Sequence, residues 1–210
     1  MTLPGGVERR QFDGTERLAT RGDPVYGEPT DGEWRAWNPH RSKLGAILEL
    51  GLDTGLEGGE TVLYLGAAAG TTVSHVADFA GPTYAVEFAA RPMRDLLDVA
   101  ESRDRLFALL ADARSPEEYA PVVEPVDVIV QDVATRGQAA VATANARFLR
   151  EDGRLLMAVK ARSEDVTRDP EAVFEETLAE LRECYEVIGT ERLAPYHDDH
   201  LGVVARRRHA

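Results

Sequence analysis

The segment Leu65-Gly66-Ala67-Ala68-Ala69-Gly70-Thr71-Thr72 is the first in the chain whose residue types suggest chemistry. It follows an apolar run, and its small residues let the backbone turn sharply and approach a ligand at the start of the next helix. The spacing is Gly-x-x-x-Gly followed by two hydroxyl residues, not the Gly-x-Gly-x-x-Gly of an NAD site. Three later apolar runs end in acids: Ala85-Val86-Glu87-Phe88, Ala111-Asp112-Ala113 and Gln131-Asp132-Val133-Ala134. A carboxylate about twenty residues beyond Gly66 can accept hydrogen bonds from ribose hydroxyls, which suits Glu87. Phe88 can then lie against adenine, and Asp112 can take the adenine amino group. Singly, each piece has an ordinary reading, since small-residue turns are often structural and acids at strand ends are often only solvated. Together and in order, each at the carboxyl end of a strand, they point to a nucleoside-containing cofactor.

The basic residues add a second clue. Of 24, only Lys43 and Lys160 are lysines, and the remaining 22 are arginines. An ammonium can lose its proton in tuned surroundings whereas a guanidinium effectively cannot, so these two lysines are candidates for a task arginine cannot perform. Other conspicuous residues read as structural. His75 faces the packing side of its helix, and His40 and His197 are solvated or at an interface. Trp34 and Trp37 pack an N-terminal sheet on the main domain, with an RNA stacking platform as the alternative. Cys184 is packing at a helix end and, being the single cysteine, excludes an intramolecular disulfide. The basic residues 206–208 either touch RNA or solubilise a tail.

These groups must be positioned by regular elements. Residues 1–55 are rich in Gly, Pro and Asp, with short alternating runs at 7–12, 17–20 and 25–26 that predict a small antiparallel sheet. Residues 42–50 predict a short amphipathic helix capped by Ser42. From 61 onward strands and helices alternate. Strands are expected at 61–65, 83–86, 106–110, 126–130, 155–159, 185–193 and 200–205, and helices at 72–79, 91–101, 138–148 and 170–183. Repeated βα units imply a parallel, doubly wound α/β sheet. The last two strands have no helix between them and should pair antiparallel at one edge. A seven-stranded, mostly parallel sheet with helices on both faces and such a hairpin is the architecture of Rossmann-like class I methyltransferases, here with a small N-terminal antiparallel β subdomain. Fold analogy of this kind does not establish function. The expected division is 1–55, the β subdomain and connecting helix, and 56–210, the cofactor-binding domain.

With 210 residues, 43% of them hydrophobic, the chain can bury one α/β core plus a small appendage. No run approaches the roughly 18 apolar residues of a membrane helix. The first residues lack the basic-then-apolar pattern of a signal peptide, so a cytoplasmic location is expected. A net charge of −13 argues against a stand-alone nucleic-acid binder, because phosphates attract clustered cations. An acidic, lysine-poor, arginine-using composition suggests a proteome adapted to high salt or, alternatively, GC-rich codon usage.

The motifs carry a specific resemblance. The segment from Tyr64 through Gly66, Thr71 and Thr72 to His75 and Val76 resembles the methionine-cofactor motif of the fibrillarin family, as does Tyr84-Ala85-Val86-Glu87-Phe88. Asn38-Pro39-His40-Arg41-Ser42-Lys43-Leu44 is similar to the segment joining that family's two domains. The Asp132-Val133-Ala134 turn, Lys160-Ala161 and Tyr196-His197-Asp198-Asp199-His200 also fit. The match runs from about Gly6 to Arg206 and, without a Gly/Arg-rich tail, implies the archaeal form.

This resemblance implies S-adenosyl-L-methionine as cofactor, held by Gly66, Ala69, Thr71, Thr72, Glu87, Phe88, Asp112, Ala113, Asp132, Val133, Ala134 and Thr135, with no metal. It implies methyl transfer to ribose 2′-hydroxyls of rRNA and tRNA by a catalytic set of Lys43, Asp132, Lys160 and His200. In that reading Lys160 orients or deprotonates the hydroxyl, or stabilises an alkoxide as a cation. Asp132 positions it, and Lys43 and His200 complete a polar wall. Ala69, Ala89 and Thr135 depart from the Ser, Ser and Gln usual in the family. The implied partners are a box C/D guide RNA, a Nop-domain scaffold protein and a kink-turn-binding ribosomal-type protein, which would hold the substrate for an acidic enzyme. Two other readings are a methyltransferase of protein glutamine side chains and a non-catalytic, cofactor-binding subunit.

Overall fold

The N-terminal strands follow from local turn chemistry in a computed structural model that describes residues 2–208. Strands β1 (Val7–Phe12) and β2 (Thr15–Arg21) pair antiparallel across Asp13-Gly14, both at positive φ (50° and 77°). An Asp-Gly pair in that conformation gives a two-residue turn whose twist matches its strands. Strands β3 (Thr30–Asp31) and β4 (Trp34–Trp37) complete the sheet in the order β1-β2-β4-β3. The strand expected at 25–26 is not formed. Glu28 instead receives the backbone N–H groups of Val25 and Tyr26 and bends the chain there. Helix α1 (Lys43–Glu49) follows, and its Ser42 cap is observed, the Oγ accepting the Gly45 N–H at 2.9 Å.

The main sheet contains β5 (Val62–Leu65), β6 (Thr83–Glu87), β7 (Leu106–Leu110), β8 (Val126–Gln131), β9 (Leu149–Lys160), β10 (Tyr185–Arg192) and β11 (His200–Arg207). Between them lie α2 (Thr71–Phe79), α3 (Ala90–Glu101), α4 (Gln138–Asn145), α5 (Ala161–Glu164) and α6 (Pro170–Leu181). The order is β10-β11-β9-β8-β5-β6-β7, with β5 to β9 parallel and β11 antiparallel to both β9 and β10. The α/β architecture and the antiparallel edge hairpin are those expected. Two boundaries differ. Strand β9 starts six residues earlier than the apolar run, because its register with β8 slips from Val126↔Leu149 to Val128↔Arg154 and the polar residues 150–153 bulge out. The helix expected over 138–148 ends as α-helix at Asn145, whose side-chain amide donates to the Val141 carbonyl, and finishes as a 3₁₀ turn.

Two apolar layers sandwich the sheet. Leu63, Leu65, Ile129, Leu155 and Met157 pack with Val141, Phe174 and Leu181 on one face. Val62, Tyr64, Ala85 and Val130 pack with Val73, Leu96, Leu44, Leu18 and Trp37 on the other, so the N-terminal sheet shares that core. Arg35 of β4 is fully buried, pairing with Glu28 and with Asp78 of α2 (2.7 Å), while Arg103 reaches Asp78 at 3.1 Å. Burying these charges is tolerable because each is paired. They fasten the small sheet to α2 and to the turn that follows α3. Neighbouring strands β5 and β8 lead to opposite ends of the sheet, which opens a crevice at their carboxyl ends.

Candidate active site

Two turns meet at that crevice. Gly66 ends β5 at φ +83°, and a Cβ there would lie 2.7 Å from the Asp132 carbonyl oxygen, so a side chain would force the β5 and β8 turns apart. Gly70 caps α2 at φ +90°, where a Cβ would press on Val99 of α3 at 3.1 Å. Glu87, 6% exposed at the end of β6, holds the first turn. Its Oε2 accepts the Ala68 N–H at 2.9 Å and its Oε1 the Ala89 N–H at 2.7 Å. Beside it Phe88 is 71% exposed, an apolar ring with nothing covering it. At the end of β7, Asp112 pairs with Arg114 at 2.6 Å, and these bonds hold its carboxyl below the usual carboxylate range.

A cavity of about 330 Å³ occupies the crevice. Of the sequence-predicted cofactor residues it is lined by Gly66, Glu87, Phe88, Asp112, Ala113, Asp132, Val133, Ala134 and Thr135, together with Lys160. Ala69 and Thr71 lie elsewhere, lining an adjoining depression with Tyr26, Arg41 and Arg103. Thr72 is buried and hydrogen-bonded to the Tyr64 hydroxyl, which burial and the Asp132 charge push well above its ordinary pKa. Ala68 of the glycine motif also lines the cavity, as does Arg114, which carried no motif of its own. Arg114 could have been found only through its spacing of two from Asp112.

The lysines converge on one carboxylate. Lys160 Nζ stands 2.8 Å from Asp132 Oδ1 and Lys43 Nζ 3.5 Å from the same oxygen. The Lys160 ammonium also donates to the Asp132 carbonyl at 3.1 Å. Both approaches to Oδ1 fall outside hydrogen-bond directionality, so the pairing there is Coulombic. His200 lies opposite Lys160 in the β11–β9 ladder. Its Nδ1–H donates to the Asp198 carbonyl at 2.5 Å, leaving Nε2 as a lone pair without a hydrogen bond among the described residues. Burial lowers the His200 pKa, with Lys43 and Lys160 acting the same way and the Asp198 carbonyl and Asp132 partly opposing. His197 Nε2–H donates to the Pro39 carbonyl at 2.7 Å, pinning the loop that leads to Lys43.

The residues read as structural are placed accordingly. His75 is fully buried, stacked on Trp37 at 4.9 Å and bonded to Thr20 and Tyr26. Trp37 lies in the shared core, and Trp34 is buried beneath Arg10 and Arg21, leaving neither ring open to a base. Cys184 packs partly buried against the main core. His40 lies against Tyr196. Among the described residues no cluster suits a metal ion, and no helix is long and apolar enough to cross a membrane.

The side chains fit an adenine nucleoside. The cavity falls in the roughly 300–1,000 Å³ range of small-molecule sites. It also offers an open aromatic face, an ionised acid beside it, and a glycine turn that no Cβ could replace. Comparison with known proteins agrees. The sequence profile of the family described as Fibrillarin matches residues 8–209. A fibrillarin-like rRNA/tRNA 2′-O-methyltransferase of Haloarcula marismortui is 73% identical over 208 residues, covering 99% of each chain. A solved fibrillarin/Nop5p complex matches at 40% identity with TM-score 0.92, over 99% of this chain and 100% of that one. Aeropyrum pernix fibrillarin with natively bound S-adenosyl-L-methionine matches at 41% identity with TM-score 0.81, over 98% and 100%.

Proposed function

Because this chain belongs to the fibrillarin family, we propose that it transfers a methyl group from S-adenosyl-L-methionine to ribose 2′-hydroxyls of rRNA and tRNA. The observation that carries the reading is a single carboxylate, Asp132, shared by the chain's only two lysines at the wall of the cavity that Glu87, Phe88 and Asp112 also line. When bound, the sulfonium cofactor supplies an electrophilic methyl carbon and leaves as a neutral thioether. Glu87 takes the ribose hydroxyls of that nucleoside, Phe88 covers its adenine and Asp112 accepts the adenine amino group.

Lys160 works as a positioned cation. Its ammonium is oriented by the Asp132 carbonyl and carboxylate, and its remaining N–H faces the acceptor oxygen and stabilises alkoxide character as the O–C bond forms. The hydroxyl proton passes to His200, whose burial keeps it neutral at neutral pH and whose Nε2 is free. Lys43 steadies Asp132 from the other side. Gly66, Thr72 and the 132–135 turn shape the cradle, while Ala69 and Thr71 act from the α2 terminus rather than the cavity wall.

The surface, at a net charge of −13, repels phosphate, so the substrate is held by partners. These are a Nop-domain scaffold, a box C/D guide RNA that selects the nucleotide by pairing, and a kink-turn-binding protein, in the cytoplasm of a salt-adapted archaeon. The 1–55 segment and the 56–210 methyltransferase domain work as a unit through the Arg35–Asp78 pairing. Single-turnover transfer of labelled methyl in the reconstituted particle tests the reading. Lys160→Ala and Asp132→Ala are expected to abolish transfer while leaving donor binding measurable, and full transfer by either would reject it.

A further inference from the structure

Lys160 emerges where the sheet runs out on one side. The last β8–β9 pair is Gln131 with Met157, three residues before Lys160, whereas on its other side Lys160 lies opposite His200 of β11. The cross-strand bond there runs from the Ala161 N–H to the Asp199 carbonyl, so the single backbone donor and acceptor of Lys160 both face away from β11, and both are satisfied by one side chain. The Lys160 N–H donates to Gln138 Oε1 at 2.9 Å, and Gln138 Nε2 donates to the Lys160 carbonyl at 3.1 Å. Gln138, fully buried, thereby stands in for a neighbouring strand one residue long.

A carboxamide has nearly the same shape either way round, so its orientation needs a cause. Glu164 supplies it. Being acceptor only, its Oε1 receives Gln138 Nε2 at 3.0 Å and the Gln138 backbone N–H at 2.7 Å, while Oε2 receives the Gly137 N–H at 2.8 Å. That turns Gln138 Oε1 toward the Lys160 N–H. Gln131 Nε2 donates to the Gln138 carbonyl at 2.8 Å, tying the clamp to the end of β8, one residue before Asp132.

We propose that Gln138, with its amide oriented by Glu164, is a positioning residue that fixes Lys160 beside Asp132. The inference rests on the reading of Lys160 as the catalytic cation. Without the amide, the partly buried backbone N–H and carbonyl of Lys160 lose their partners, the strand end frays, and the ammonium is no longer held in register.

The test compares the parent, Gln138→Met, Glu164→Gln and Lys160→Ala in the reconstituted particle by single-turnover methylation. S-adenosyl-L-methionine affinity and hydrogen exchange at the Lys160 amide are measured on the same proteins. Gln138→Met keeps the side chain's length and removes both bonds. Its rate is expected to fall about 10–100-fold, the scale for misplaced catalytic groups, with donor affinity unchanged and Lys160 exchange accelerated. Glu164→Gln, which frees the amide to flip, should show a smaller fall of the same kind, and it carries the test alone if Gln138→Met does not fold. A parental rate in both variants with Lys160→Ala inactive overturns the proposal and leaves the reading of Lys160 intact. A fall in rate matched by a loss of donor affinity also overturns it, since the cavity rather than Lys160 would then have been disturbed. A parental rate in Lys160→Ala removes the reading and the proposal together.

Discussion

Replacing Gly66 with alanine probes whether the β5 and β8 turns must touch for the site to work. The new Cβ would lie 2.7 Å from the Asp132 carbonyl oxygen, 3.0 Å from its carbon and 3.2 Å from Val133 Cα, all backbone atoms that no rotamer change can move. The β8 turn must therefore withdraw by several tenths of an ångström. Positive φ adds about 1–2 kcal/mol for an L-residue, and overpacking about 1–3 kcal/mol. Restricting the unfolded chain returns about 0.4–1 kcal/mol. The net loss of about 1–5 kcal/mol lowers Tm by roughly 2–18 °C in a chain of this length. Because the same carbonyl orients Lys160, the displacement reaches the catalytic set, and the methylation rate should fall by up to about 10²-fold. Gly14→Ala is the control. Its φ is +77° with nothing within 4 Å of the added carbon, so it carries strain alone and should keep the full rate with a Tm loss of at most about 5 °C. Calorimetry and single-turnover assays on both proteins decide the matter. A Gly66→Ala protein indistinguishable from Gly14→Ala would refute the reasoning.

Phe88→Ala should weaken S-adenosyl-L-methionine binding about 5–100-fold, from the about 1–3 kcal/mol that base–aromatic stacking supplies. Its Tm should not move, because the ring is exposed; titration calorimetry reads the affinity and scanning calorimetry the Tm, and unchanged affinity would remove Phe88 from the adenine site. His200→Gln should slow methyl transfer about 10²–10⁴-fold, the usual contribution of a positioned proton acceptor. The parent should lose rate only on acidifying below the ordinary histidine pKa of about 6.5, where Nε2 finally protonates, and the variant should lack that limb. If the variant keeps it, another group takes the proton. His75 gives a stability test. Burial, Arg35 and Arg103 hold its folded pKa well below 6.5, so the unfolded chain binds the proton first. Stability is then complete above about pH 6.5 and falls by up to about 1.4 kcal/mol per pH unit below it. Denaturant midpoints for the parent and His75→Gln should diverge in slope between pH 5 and 7, and parallel slopes would contradict the assignment.

The sheet was legible because strands buried on both faces leave unbroken apolar runs, as in Val62–Leu65, and because no helix-length segment separates β10 from β11. The Ser42 cap and the inward face of His75 followed from local pattern in the same way. What escaped depends on partners far along the chain. Arg35 meets Asp78 across 43 residues and Gln138 meets Lys160 across 22, and no spacing rule links either pair. The alternation at 25–26 was overridden by a glutamate two and three positions on. Strand-end acids marked the cavity well, since the carboxyl edge of a parallel sheet collects them whatever the loops do. The loops decided the rest, sending Ala69 and Thr71 to the adjoining depression.

The most direct measurement is nucleotide-resolved mapping of labelled methyl after reconstituting this chain with a guide RNA, the Nop-domain scaffold and the kink-turn-binding protein. The label is expected on the ribose 2′-oxygen of the guided nucleotide, and only with the guide present. Label on a base, on protein alone, or on RNA without a guide would contradict the assignment.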